Sequence, residues 1–214
     1  MSCAPHSKCN TGLEIVKSGS NGCATAVRPG VPTDCAPFSY GGESAWNEAL
    51  TIGLGTATGG GISSIYPVPS YQSSLPTSWT TFLGNTVPST GRLVPDVSFN
   101  SAVDGGVLAY LGFLGRWAVF GGTSASSPAW AAIIAILNQK NGGPVGFINP
   151  AIYALAEGPH YKHAFHDITA GNNAVCEGLC GEDGFNAGPG YDLTTGWGTP
   201  DVASFISMFL ASNH

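Results

Sequence analysis

The sequence predicts a loop-rich globular fold, and three observations support this prediction. The chain has 214 residues, of which 43% are hydrophobic, so it can bury a core as one full-sized domain or two small ones. Short apolar runs alternate with a few segments of helical periodicity. Glycine and proline supply 31 and 15 residues, so many positions lie in turns. This composition excludes intrinsic disorder.

The first 37 residues are predicted to form an irregular segment that contains cysteines. Four of the six cysteines lie here among Pro, Gly, Ser and Thr. An even number of cysteines in a lysine-poor chain favours disulfides and a secreted or luminal setting. A zinc site is the weaker alternative, because the last two cysteines have no second pair nearby. The cysteines are Cys3, Cys9, Cys23, Cys35, Cys176 and Cys180.

Short elements are predicted between residues 38 and 120. Residues 106–120 predict two short strands joined by a turn at Gly112 and Gly115. The other segments are, in order, a short helix or turn at residues 43–50, a strand or extended edge at 62–66, a surface loop at 66–90, and a buried strand running into a turn at 93–98.

Three helices are predicted after residue 120. The clearest begins at Pro128, because proline is favoured in a first turn and Ser126 and Ser127 are capping candidates. Its apolar residues follow helical spacing, and it ends at the Asn-Gly-Gly-Pro signal of residues 141–144. The two shorter helices are predicted at residues 150–156 and 201–210.

The charge of the chain argues against two classes of partner. Charged residues make up 9% of the sequence, the net charge is -6, and Lys plus Arg number seven. Nucleic acids and anionic membranes both attract basic patches. The longest apolar run, at residues 130–137, is far shorter than the roughly 20 residues that span a bilayer. We therefore expect neither nucleic acid nor membrane as a partner.

The strongest candidate for a catalytic residue lies in the run Gly121-Gly122-Thr123-Ser124-Ala125-Ser126-Ser127-Pro128. It lies between a predicted strand and the predicted long helix, so Ser124 would stand at a helix N-terminus, where free N–H groups favour negative charge. The glycines allow a sharp bend and close approach of a substrate, and the Ser124 N–H would donate to an oxyanion. A serine that only caps the helix is the alternative from these residues alone.

This run, with residues 129–138 after it, resembles the nucleophile motif of the sedolisins, the serine-carboxyl peptidases that include the tripeptidyl peptidases. The resemblance implies an α/β fold with a subtilisin-like parallel sheet flanked by helices, of which residues 38–214 would be the C-terminal portion with a long calcium-binding loop. It implies that Ser124 is the nucleophile of a peptidase that acts on peptides or proteins. Further segments that resemble family landmarks, in family order, are residues 43–46, 59–63, 69–72, 92–98 and 146–153.

Subtilisins share this fold and a similar Gly-Thr-Ser element, but they differ from sedolisins in the general base. A subtilisin needs a histidine before its serine, and here only His6 precedes Ser124. Sedolisins use a glutamate base backed by an aspartate, with a further aspartate at the oxyanion hole. A carboxylate base of ordinary pKa, about 4, works best at acid pH. We therefore expect an acid-acting enzyme in an extracellular or acidic luminal compartment.

A second set of residues resembles the sedolisin calcium site. It comprises the carboxylates of Asp167 and Asp192 and the carbonyls of Ile168, Gly188 and Gly190. Calcium takes roughly six to eight oxygen ligands, and carboxylates with carbonyls of a glycine-rich loop supply them. An aspartate-capped surface turn is the alternative. Calcium that binds only the folded state would stabilise this long irregular segment.

Other candidates receive structural interpretations. His160, His163 and His166 do not form a zinc-peptidase pattern and are expected in a surface loop. Asp96 is expected to be a buried structural carboxylate at a strand end. Residues 59–61 are candidates for lining a substrate cleft, where an extended peptide would pair with exposed backbone.

The base carboxylates of the family have no counterpart in a fitting context before Ser124. Two hypotheses follow. In the first, the chain is part of a peptidase whose base comes from a missing N-terminal part of the domain, and the intact motif around Ser124 favours this. In the second, the chain is a non-catalytic calcium-stabilised module, which the missing acids favour. The upstream acids outside the matched strand motifs are Glu14, Asp34, Glu43 and Glu48.

Overall fold

A computed structural model describes residues 17–18, 37–39, 42–49, 52, 56–175 and 183–212. All six cysteines lie outside these residues, and so does most of the segment 1–37 that was predicted to be irregular. The expected disulfides and the division of the chain near residue 37 therefore stay predictions.

The strands of the described residues are short and pair in antiparallel twos, so the expected parallel sheet is not confirmed. The pairs are β1 with β2, β3 with β6, β4 with β5, β7 with β8, and β9 with β10. Two neighbouring strands can be parallel only if a connection of about a dozen residues or more joins them. The turns at 81–85 and 112–115, which join β4 to β5 and β7 to β8, are shorter, so these pairs are antiparallel. The strands are Lys17–Ser18 (β1), Pro37–Ser39 (β2), Gly61–Ile62 (β3), Ser78–Thr80 (β4), Thr86–Pro88 (β5), Leu93–Val94 (β6), Val107–Leu111 (β7), Arg116–Phe120 (β8), Phe165–His166 (β9) and Thr199–Pro200 (β10).

The local predictions before residue 120 are confirmed in part. The hairpin β7–β8 has the predicted turn, and Tyr110 and Trp117 face each other across it with ring centroids 5.4 Å apart. The predicted strand at 62–66 is reduced to β3, because the Ser63 hydroxyl accepts the next N–H groups and turns the chain. The predicted loop at 66–90 contains the hairpin β4–β5. Residues 43–49 contain a bridge from Asn47 and a turn at Ala49, so the turn of the predicted helix or turn is observed.

Four α-helices follow among the described residues, and the first begins earlier than predicted. Helix α1 starts at Thr123 rather than at Pro128, after Gly122 as N-cap. Its end is as predicted, at a left-handed Gly142 whose N–H donates to carbonyls of the last turn. The two later predictions, at residues 150–156 and 201–210, are confirmed to within two residues. The helices are Thr123–Asn141 (α1), Asn149–Ala156 (α2), Tyr161–Ala164 (α3) and Val202–Ser212 (α4), with a 3-10 turn at Ser70–Gln72.

The apolar core lies between α1, α2, α4 and the segment around residues 191–197. Trp130 of α1 and Phe165 of β9 both contact the ring of Phe205 in α4, at centroid distances of 5.6 and 5.5 Å. Leu137 and Phe205 are completely buried. This packing holds α1 along its length, and therefore fixes the position of its N-terminus. No helix among the described residues has both the length and the apolarity to cross a bilayer.

A buried polar network ties β6 to α2. Asp96 forms an ion pair with Arg92 and accepts hydrogen bonds from Asn149 Nδ2 and the Tyr153 hydroxyl, both at 2.9 Å. Gln72 Nε2 donates to the Tyr153 oxygen at 2.7 Å. Burial, with the Asp96 carboxylate nearby, raises the pKa of Tyr153. These contacts give Asp96 a structural role, although its side chain is partly exposed and not buried as expected.

Candidate active site

Ser124 is the second residue of α1, and its side chain is exposed. Gly122 precedes the helix with φ 80° and ψ 169°, a conformation that glycine adopts far more readily than other residues. Because this N-cap is a glycine, no side chain at that position competes for the N–H groups of the first turn. The geometry can therefore stabilise a negative charge that develops beside the Ser124 hydroxyl.

The loop at residues 100–104 holds the beginning of α1. The Gly122 N–H donates to the Ser101 carbonyl at 2.6 Å. The Ser126 hydroxyl, predicted to cap the helix, instead contacts the Ser101 hydroxyl and is buried. Proline at 128 has no N–H to donate to the Ser124 carbonyl, so the first turn depends on this loop for part of its support.

No described side chain forms a hydrogen bond with the Ser124 hydroxyl. Glu43 accepts a hydrogen bond from Thr199 Oγ1 at 2.6 Å. Glu48 accepts hydrogen bonds from backbone N–H groups of the 100–104 loop. Neither upstream carboxylate is therefore placed as a base in this structure. Of the other upstream acids, Asp96 is held by Arg92, Asn149 and Tyr153, and Asp104 is exposed in the 100–104 loop. Glu14 and Asp34 lie outside the described residues.

Ser124 belongs to a helix with much apolar surface in solvent. Along α1, exposed residues include Ala131, Ala132, Ala135 and Ile136, on a helix that also buries Leu137. A helix with apolar residues on most of its faces is typical of a buried position. The hairpin β7–β8, which ends three residues before α1, also exposes large apolar side chains. They are Val107, Tyr110, Phe113, Leu114, Trp117, Val119 and Phe120.

A cavity of about 210 Å³ adjoins the first turn of α1. Gly59 lines it, whereas Gly61 lies within β3. The expectation that residues 59–61 border a substrate cleft stays a prediction. Ser124 does not line the cavity, because the lining residues of the helix form one side with i, i+3, i+4, i+7 spacing. These residues are Thr123, Ser126, Ser127 and Trp130.

Asp167 and Asp192 both contact the glycine-rich loop at residues 188–192. The Gly190 N–H donates to the two carboxylate oxygens of Asp167, at 3.1 and 3.0 Å. The Gly188 N–H donates to Asp192 Oδ2 at 3.0 Å. Ile168, next to the first aspartate, is buried. The structure thus brings Asp167 and Asp192 to one loop with Gly188 and Gly190, and Ile168 lies next to Asp167 in the chain.

Asp192 is 5% exposed and accepts several hydrogen bonds. Besides the Gly188 N–H, the N–H groups of Thr194 and Thr195 donate to Oδ1 at 2.8 and 2.7 Å, and Thr195 Oγ1 donates to Oδ2 at 3.0 Å. Burial raises the pKa of Asp192, and these donors oppose the rise. Burial and the nearby Asp167 carboxylate raise the pKa of Tyr161, whose hydroxyl therefore stays protonated.

The histidines and other metal ligands form no further cluster in the described part of the chain. No group of three or more His, Cys, Asp or Glu side chains there is placed to hold a metal ion. The set around Asp167 and Asp192 has two carboxylates, so its other ligands would be carbonyls. His163 lies in α3 and His166 in β9, and not in a surface loop as expected.

Comparison with known proteins assigns the chain to a family. No protein-family profile matches it. Kumamolisin from Bacillus sp. (strain MN-32) is 40% identical over 172 residues, which cover 79% of this chain and 28% of kumamolisin. Sedolisin from Pseudomonas sp. (strain 101) is 36% identical over 177 residues, 82% of this chain and 27% of sedolisin. Tripeptidyl-peptidase 1 from Homo sapiens is 30% identical over 205 residues, 86% of this chain and 33% of that protein.

A solved structure agrees with the sequence comparison. Pseudomonas sedolisin, a serine-carboxyl proteinase complexed with two molecules of pseudo-iodotyrostatin, matches with a TM-score of 0.64 and 33% identity. The match covers 82% of this chain and 43% of that chain. The chain belongs to the sedolisin family. The family prediction and the α/β class are thereby confirmed.

The comparisons also show how much of each relative this chain corresponds to. The chain spans between 27% and 33% of the length of the three relatives above. Sequence reasoning missed that Ser101 and Glu48 help to hold the start of α1. Both residues are distant from the Ser124 motif along the chain and belong to no motif of their own.

Proposed function

We propose that this chain supplies the nucleophile of a serine-carboxyl peptidase of the sedolisin class, with Ser124 as the attacking residue. The observation that carries this proposal is the exposed Ser124 side chain in the first turn of α1, after a glycine N-cap. Membership of the sedolisin family supports it independently. The proposed substrates are peptides or proteins.

The geometry defines what this part of the site contributes to the reaction. The Ser124 oxygen attacks the carbonyl carbon of a peptide bond, and the carbonyl oxygen becomes an oxyanion that N–H groups at the start of α1 stabilise. Collapse of the intermediate releases the amine and leaves an acyl group on Ser124, which water then hydrolyses. A general base takes the serine proton during the attack and passes it to the nitrogen of the leaving amine. None of the described carboxylates hydrogen-bonds to the Ser124 hydroxyl.

We therefore propose a partner for this chain, namely a further portion of the peptidase domain that carries the base. The exposed apolar side chains of α1 and of the hairpin β7–β8 support this, because contiguous apolar surface marks an interaction site. Covering this surface would also exclude water around Ser124. A carboxylate base predicts activity at acid pH and fits an extracellular or acidic luminal compartment.

We also propose a structural calcium ion at the loop of residues 188–192. Its ligands would be the carboxylates of Asp167 and Asp192 and the carbonyls of Ile168, Gly188 and Gly190. The residues fit this ion, because two carboxylates converge on one glycine-rich loop and one of them is buried. When bound, calcium supplies positive charge that offsets these two carboxylates, and it takes no part in the attack by Ser124.

A second candidate function is a non-catalytic calcium-stabilised module. The absence of a hydrogen-bonded base at Ser124 among the described residues favours this candidate for the isolated chain. A serine that lacks its base loses most of its rate, because the groups of such a site act as one unit.

The test is hydrolysis of a denatured protein between about pH 3 and 7 with calcium present. Ser124→Ala is compared with Ser127→Ala, which changes an exposed serine in the same helical turn. In protein that also carries the proposed further portion of the domain, we expect acid activity that falls at least about a thousandfold in Ser124→Ala and persists in the control. Folded wild-type protein of this extended form without activity would contradict the proposed role of Ser124 and favour the non-catalytic module.

A further inference from the structure

Glu48 is a buried carboxylate that the proposed attack does not use. Its side chain is 4% exposed. Oε2 accepts hydrogen bonds from Trp46 Nε1 at 2.7 Å and from the Val103 N–H at 2.9 Å, and Oε1 accepts the Asp104 N–H at 2.8 Å. Hydrogen bonds to an ionised acceptor are roughly twice as strong as neutral ones. Glu48 therefore fastens the 100–104 loop to the segment around residue 46.

The backbone of this loop touches the residues that lead into α1. A Cβ atom at Gly121 would lie 2.3 Å from the Ala102 carbonyl oxygen and 2.7 Å from the Val103 nitrogen, so the two backbones are in direct contact. The Gly122 N–H donates to the Ser101 carbonyl at 2.6 Å. A displacement of the loop would therefore move the N-cap of the helix.

The same loop also holds the other end of the first helical turn. The buried Ser126 hydroxyl contacts the Ser101 hydroxyl and donates to the Asn100 carbonyl at 3.2 Å. Ser124 thus lies between two attachment points, Gly122 and Ser126, that both depend on one loop. Trp46, which donates to Glu48, also lies beside the N-cap, 3.9 Å from the position of a Cβ on Gly122.

We propose that Glu48 is a positioning residue for Ser124. Its carboxylate fixes the 100–104 loop, the loop fixes Gly122 and Ser126, and these fix the Ser124 hydroxyl and the first N–H groups of α1. The inference rests on the proposed function of Ser124 for its catalytic meaning. Glu48 acts through the backbone and is not the general base, because both of its oxygens accept N–H groups of the loop.

The first experiment measures amide hydrogen exchange at Gly122 in Glu48→Gln. The glutamine offers one oxygen and turns an NH2 group toward an N–H donor, so the loop loses part of its attachment. We expect exchange at Gly122 to become about tenfold faster, as for the loss of one hydrogen bond to a charged group. Asp96→Asn is the matched control, because it changes a carboxylate with three side-chain donors outside this loop.

The outcome of the exchange experiment does not depend on activity. Unchanged Gly122 exchange in folded Glu48→Gln would overturn the proposal, and so would an equal increase in Asp96→Asn. If Glu48→Gln does not fold, Glu48→Asp keeps the carboxylate but shortens its reach to the N–H groups of the loop, and about threefold faster exchange at Gly122 is expected. If the wild-type protein of the extended form does not hydrolyse the substrate, the proposed function is refuted. The exchange result then still tests whether Glu48 holds the 100–104 loop and Gly122.

The second experiment separates positioning from acid–base catalysis in protein that hydrolyses the substrate. We expect Glu48→Gln to lower kcat about tenfold with KM within about twofold, because the nucleophile is misplaced in the transition state. The pH at which activity is half-maximal stays that of the wild type. Loss of the pH dependence would overturn the proposal, since it would identify Glu48 as the base.

Discussion

Substitution of Asp167 by asparagine separates calcium binding from the hydrogen bonds that already hold the loop at residues 188–192. The Gly190 N–H donates to both carboxylate oxygens at 3.1 and 3.0 Å. Asparagine keeps one of these acceptors and loses the charge. We therefore expect Asp167→Asn to have nearly the wild-type stability without calcium, and to gain little when calcium is added.

The size of the expected effect follows from mass action. A ligand at a hundred times its Kd stabilises the folded state by about 2.7 kcal/mol. Each kcal/mol raises Tm by roughly 2 to 4 °C in a domain of this size, so the wild type should gain about 5 to 11 °C. The buried Asp192 keeps its donors in Asp167→Asn, so the loop should remain folded.

The assay is thermal unfolding of the wild type and the variant in calcium and in a chelator. Asp183→Asn is the control, because Asp183 also accepts a backbone N–H, that of Leu83 at 3.0 Å, but lies outside the proposed ligand set. The control should keep the full calcium shift. A wild-type Tm that does not respond to calcium, or an Asp167→Asn variant with an undiminished response, would refute the reasoning and favour an aspartate-capped turn.

Two further predictions concern the helix start and the buried tyrosines. Gly122→Ala should lower the free energy of unfolding by about 1–3 kcal/mol, because alanine is strained at φ 80°. Steric crowding adds nothing to this cost, since the nearest atom beyond the chain neighbours lies 3.9 Å from the new Cβ. A urea denaturation midpoint equal to that of the wild type would contradict the prediction. Burial raises the pKa of Tyr153, Tyr161 and Tyr191, so their stabilising contribution is full below about pH 10 and is lost above it. In an alkaline titration followed by tyrosinate absorbance, these tyrosines should ionise in a late phase, as the protein unfolds. Tyr191→Phe should reduce the amplitude of that late phase, and an unchanged amplitude would argue against the prediction.

Local pattern was sufficient for several elements of the fold. The hairpin β7–β8 follows from two apolar runs separated by glycines, since cross-strand pairs such as Tyr110 with Trp117 need only a short turn. The end of α1 follows from Gly142, which adopts the left-handed conformation that terminates helices. Both signals are complete within a few residues.

The start of α1 was predicted wrongly because it depends on a distant segment. Ser126 resembles a capping residue in sequence, but its hydroxyl contacts Ser101, which lies 25 residues earlier. The true N-cap is Gly122, whose N–H is satisfied by the carbonyl of that same loop. The parallel sheet implied by resemblance is likewise a property of long-range pairing, and the described strands pair antiparallel.

The sequence by itself determined the family, the candidate nucleophile Ser124 and the identity of the proposed calcium ligands, because these are carried by contiguous motifs. Only the tertiary structure decided how they are held. Asp167 meets the Gly190 N–H across 23 residues, and Glu48 meets the Val103 N–H across 55. Periodicity and capping signals act over a few residues, whereas a hydrogen bond between distant segments exists only after the core has brought them together.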